Sequence, residues 1–149
     1  MKKLLLLAIL TTLFFNSCRK DNDPPADPCD ISYSSTKITL GYYVDFRPFY
    51  AGTDPNGPGG AAANDLFIDL LHIQAKNGAM IEDVGGINCL GLIPKTSNFN
   101  SVSKEISINH GYIVRLNDGT YARFIFVESI ILNNVQGFQM IYQYPYSNY

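Results

Sequence analysis

The 149-residue chain contains no tryptophan, two histidines and three cysteines, and charged residues make up 16% of it. Each shortage excludes something. With histidine confined to His72 and His110, there is no His-Glu-x-x-His pair and no His/Cys group at zinc-binding spacing. The chain has no Gly-x-Ser-x-Gly elbow, no Cys-x-x-Cys and no phosphate-cradling glycine loop. Ser101-Val-Ser-Lys104 spells the Ser-x-x-Lys of certain serine enzymes, where one turn of helix lets the lysine reach the hydroxyl. Here the surroundings are polar and loop-like, so the match reads as chance. Glu82 and Asp83 are adjacent, which points two carboxylates apart, and they read as a solvated turn. Asp54 and Asn56 beside Gly57 lack the terminal acidic ligand of a calcium loop and read as an Asx turn. No catalytic constellation stands out, and an enzyme is not expected.

Long apolar runs are missing as well. Leu4 to Phe15 is broken only by Thr11 and Thr12, and it is well short of the ~20 residues that span a bilayer. It follows Met1-Lys2-Lys3 and ends at Asn16-Ser17-Cys18, the charge and hydropathy order of an export signal. With Cys18 at its end, the segment resembles a bacterial lipoprotein signal in the looser form seen in Bacteroidetes, with Phe15 where leucine is usual. The resemblance implies a signal over residues 1–17, cleavage before Cys18, and a diacylglycerol thioether on that thiol. Each buried acyl methylene then adds ~0.8 kcal/mol of membrane affinity. Arg19-Lys20-Asp21-Asn22-Asp23 partly resembles the surface-export signal of such lipoproteins. The expected location is the outer membrane, lipid-anchored, on the cell surface.

A basic excess is also absent. Without Lys2 and Lys3, nine basic groups face thirteen acidic ones, a net charge of −4, which leaves no footprint for nucleic acid. Residues 18–30 combine the anchor with a Pro- and Asp-rich tether that has no core-forming side chains. One β-rich domain is expected over residues 31–149, rich in tyrosine and phenylalanine. Cys29 and Cys89 remain once Cys18 is lipidated. In an oxidising envelope they can pair, or they can stay as two separate thiols; spacing does not choose.

What is present is mostly strand pattern. Ile38, Leu40, Tyr42, Val44 and Phe46 alternate with Lys37, Thr39, Tyr43 and Asp45, predicting one strand over 37–46. Residues 64–76 fit a strand, with a helix as the other reading. Residues 87–93, between Gly85-Gly86 and Pro94, predict a short strand. Tyr112–Leu116 and Tyr121–Val127 flank Asn117-Asp118-Gly119 and predict a hairpin whose glycine is left-handed. Both faces of that hairpin are apolar, so it belongs centrally in its sheet. Asn133-Asn134 turns into a last strand over 137–144 that puts Phe138, Met140, Tyr142 and Tyr144 on one face. The fold class is mainly β: an antiparallel sandwich or partly closed barrel with little helix.

Gly111-Tyr-Ile-Val-Arg-Leu-Asn-Asp-Gly-Thr-Tyr-Ala-Arg-Phe124 and Gly137-Phe-Gln-Met-Ile-Tyr-Gln-Tyr144 resemble the C-terminal half of HmuY-like lipoproteins of Bacteroidetes. Asp65-Leu-Phe-Ile-Asp69 and Asn77-Gly78 are a fainter echo, without the family's tryptophan. The resemblance implies a surface lipoprotein that captures haem through two axial His or Met side chains. By chemistry the candidates are His72 and His110, then Met80; Met140 falls among core aromatics. The alternative is a structural or accessory subunit of a surface complex with a protein partner and no small ligand.

Overall fold

Apolar side chains on both faces of a strand require cover on both sides, and that requirement shapes this protein. The computed structural model describes residues 27–57, 60, 64–69, 71–94 and 98–146. Ten strands are described: β1 (Ser34–Thr39), β2 (Tyr43–Phe46), β3 (Phe49–Gly52), β4 (Leu66–Asp69), β5 (His72–Ala75), β6 (Met80–Gly86), β7 (Ser103–Glu105), β8 (His110–Arg115), β9 (Tyr121–Leu132) and β10 (Val135–Gln143). They form two five-stranded antiparallel sheets, β1-β10-β9-β8-β6 and β3-β2-β4-β5-β7. The sheets pack as a sandwich and do not close into a barrel. Cys18, the signal residues and all but the end of the tether lie outside the described residues.

Between the sheets lies an aromatic core. Tyr112 and Val114 of β8, Phe124 and Phe126 of β9, and Phe138 and Met140 of β10 meet Val44, Phe46, Leu66, Ile68 and Ile73 of the second sheet. Met140 is therefore core, as its neighbours suggest. The opposite face of the first sheet is covered too. Ile113 and Ile125 pack under Leu90 and Ile93, flanked by Ile31, Ile87 and Phe99. The cover lies close: a side chain at Gly111 would collide with Ile87, and one at Gly91 with the Pro28 carbonyl. Cys29 and Cys89 form a disulfide that pins the tether's end to this cover, with Cα atoms 5.5 Å apart. Closing 60 residues is worth about 4 kcal/mol in the chain-entropy model.

The central hairpin has the expected register, with Arg115 opposite Tyr121 and Gly119 at φ 84°. Asn133 and Asn134 are both left-handed, the turn that suits strand twist, so β9 and β10 run on into a long projecting hairpin.

Three expectations change. Residues 37–46 are two strands, not one. At the corner, the Leu40 N–H donates to Gln136 of the first sheet and the Gly41 N–H to Ile68 of the second. Gly41, at φ 82°, permits that switch. Residues 64–76 are a tight hairpin, with Asp69 opposite His72. Residues 87–93 carry a single 3-10 turn at Leu90–Leu92, because they cross over the sheet as its cover.

Candidate functional site

His72 and His110 sit at the same end of the sandwich. His72 opens β5 opposite Glu105 of β7, and Ile106–Asn109 lead directly into β8 at His110. The Ile106 N–H donates to the Leu71 carbonyl, and the Asn109 N–H to Phe126, which holds the connection against both sheets. Tyr112 supports it from below. Its hydroxyl donates to the Glu105 carbonyl at 2.9 Å and accepts the Ser107 N–H at 2.8 Å. Burial pushes that phenol up to about 12.

The two imidazoles do not face one another. Ile73 points into the core, so its neighbour His72 points outward from the second sheet and is exposed. His110 lies in the opening at the end of β8. Its Nδ1 is 3.1 Å from Asp83 Oδ2 and 3.2 Å from Oδ1. The pair arises from an irregularity in β6, where pairing shifts between Asp83 and Gly86. Gly85 takes φ 88°, its N–H donates to Asp83 Oδ1 at 2.8 Å, and the carboxylate is turned toward the imidazole. Glu82 and Asp83 are thus strand residues with partners, not a solvated turn; Glu82 pairs with Lys104 at 3.5 Å.

His110 borders an open hollow of about 570 Å³. Ile87, Leu92 and Ile108 supply apolar wall, and Asn88 and Asn109 the polar rim. Leu92 and Ile108 are exposed, as are Leu71 on the β4–β5 turn and Ile131 and Val135 at the β9–β10 tip.

Neither Met80 nor Met140 contributes here. Met140 is fully buried, and the Met80 sulfur accepts from Arg115 Nη2 at 3.2 Å. Ser101 is bonded to the Ser103 carbonyl while Lys104 pairs with Glu82, so no serine–lysine dyad forms. Asp54 makes the expected Asx turn by accepting the Asn56 N–H at 2.7 Å. Among the described residues no group of three or more metal-ligating side chains converges. Asp83 and Ile108 escape the sequence reading; the acid two residues before Gly85-Gly86 was the one available sign.

The opposite end is closed by charge. Arg47 Nη2 is 2.7 Å from Asp65 Oδ1, and its Nη1 is 2.6 Å from Asp118 Oδ2 and 3.1 Å from Asn117 Oδ1. Hydrogen bonds from Thr120, with Arg47, hold Asp118 down at about 2.

No family model matches this chain, and no curated protein matches it. Among solved structures, one from Bacteroides vulgatus, provisionally described as an HmuY-like heme binding protein, aligns with a TM-score of 0.48 at 17% identity. The alignment covers 82% of this chain and 96% of that one.

Proposed function

We propose that this chain is a lipid-anchored, non-catalytic binding domain at the outer-membrane surface, tethered through Cys18, that takes haem at the His110 hollow. The observation that carries the ligand is the His110–Asp83 pair. A carboxylate only accepts, so Nδ1 carries the proton, and in the neutral imidazole the lone pair is on Nε2. A carboxylate behind a histidine also fixes the ring and strengthens it as a ligand. Ile87, Leu92 and Ile108 offer apolar cover for a porphyrin edge.

The donor set fits one axial bond. His72 faces away, Met80 is engaged and Met140 is buried, so the bis-ligated arrangement implied by the family resemblance is not the one these residues favour. Haem bound here supplies an iron centre with one protein ligand; the chain's own part is to hold the imidazole and shield the ring. Haemin titrated into the detergent-extracted full chain is expected to shift its Soret band. His110→Ala should abolish the shift and His72→Ala should leave it. No shift in the parent chain at micromolar haemin removes the haem reading.

One observation favours the accessory-subunit reading: Leu71, Ile131 and Val135 expose apolar surface on projecting turns at this end. A protein partner covering them predicts copurification after mild detergent extraction.

A further inference from the structure

The charged end holds more acid than its cation balances. Asp45 and Asp65 are each 2% exposed. They flank the same short segment: the Phe46 N–H donates to Asp65 Oδ2 at 2.9 Å, and the Arg47 N–H to Asp45 Oδ1 at 2.8 Å. Asp65 is well supplied, since Arg47 Nη2 serves its Oδ1 at 2.7 Å. Asp45 is not. Its Oδ2 is buried with no hydrogen-bond partner, yet its carboxyl lies within hydrogen-bonding reach of Asp65. Two bare carboxylates in that arrangement repel, and an unpaired buried oxygen costs about 1–3 kcal/mol. A proton shared between the two carboxyls removes both costs, because one then donates to the other.

We propose that Asp45 and Asp65 share one proton and form a proton-dependent latch that joins the two sheets at this end. Arg47 carries the connection. It reaches from the β2–β3 turn past Asp65, at the start of β4, to Asn117 and Asp118 in the β8–β9 turn of the other sheet. With the proton in place, one negative charge of the buried pair faces Arg47, and Asp118 completes the bridge at the surface. Without it, the pair carries two negative charges and the latch loosens. The other charged or titratable groups acting on this cluster are Arg47, Asp118 and Tyr144. No histidine is among them.

Burial pushes Asp65 up to about 6, against the Phe46 N–H and Arg47, which pull it down. A buried pair this close gives up its proton as a unit. Asp65 is therefore raised above its unfolded value. Its contribution is fully present below about pH 4 and is lost as pH rises through about 6.

Asp45→Asn tests the latch on the full chain. The amide keeps an oxygen for the Arg47 N–H and puts a permanent donor toward Asp65. Urea unfolding of the parent and the variant is measured from pH 4.5 to pH 8. The parent's folding constant is expected to fall relative to the variant's by up to roughly 25-fold across that range, because part of the two-unit displacement is already lost at pH 4.5. Carbon-13 carboxyl spectra should show a carboxyl transition near pH 6 in the parent that moves to lower pH in Asp45→Asn. Parallel pH curves for the two chains overturn the proposal, as does an Asp45→Asn chain that fails to fold at pH 5, since the amide reproduces every hydrogen bond the proposal assigns.

Discussion

At one end of the sandwich Arg47 spans Asp65 and Asp118, Asp45 is buried behind it, and strand turns from both sheets converge on that cation. At the other end His110, backed by Asp83, borders an open hollow, and Leu71, Ile108 and Ile131 stand exposed on the surrounding turns. Both ends pair an acid with a nitrogen base. They differ in what else the groups must do. Arg47 is held by Asp65, Asp118 and Asn117, acceptors the fold itself supplies. His110 has its Nδ1 on Asp83 and borders the opening. Charge that is fully engaged closes a structure; charge half engaged beside apolar surface leaves a place for a ligand.

The largest expected effect tests the closed end. Arg47→Ala leaves Asp65 buried without its cation, and breaking such a pair costs about 3–5 kcal/mol. Urea unfolding at pH 7 should show the loss, while haemin affinity per folded molecule stays unchanged. A small loss with weakened haemin binding would mean the two ends are not separate. The next effect tests the open end. Asp83→Ala frees the His110 ring and should weaken haemin binding by roughly 10–100-fold, the usual range for a carboxylate behind a metal-bound histidine. Stability should move little, because Asp83 is partly exposed. Asp83 acts here as a positioning residue.

The strand pattern was legible where one rule acted alone. Two apolar faces correctly put the β8–β9 hairpin at the centre of its sheet, and Asn133-Asn134 correctly marked a turn. The corner at Gly41 was hidden because alternation continues smoothly through Leu40 and Tyr42, while the hydrogen bonds change sheets. Residues 87–93 looked like a strand because burial against a sheet's outer face selects the same apolar residues as burial within a sheet. The site was less legible than the fold. His110 could be named because histidine is scarce, but its orienting acid depends on the irregular pairing after Asp83, and no periodicity announces that. Asp45 and Asp65 lie twenty residues apart and look like ordinary strand-end acids; only the fold makes them neighbours.

The smallest effect separates the two readings of the open end. Ile131 is 71% exposed on the β9–β10 tip, so Ile131→Ser removes almost no buried contact and should change stability by less than about 0.5 kcal/mol. If the end serves haem alone, the substitution is silent, because Ile131 does not line the hollow. If the tip docks a protein partner, the same change puts a hydroxyl into a desolvated contact, and copurification after mild detergent extraction should fall while haemin binding is untouched. A silent Ile131→Ser combined with a lost Soret shift in His110→Ala confines the function to the hollow. The reverse pattern moves it to the projecting turns and leaves the His110–Asp83 pair a structural role in holding the end of β6 against β8.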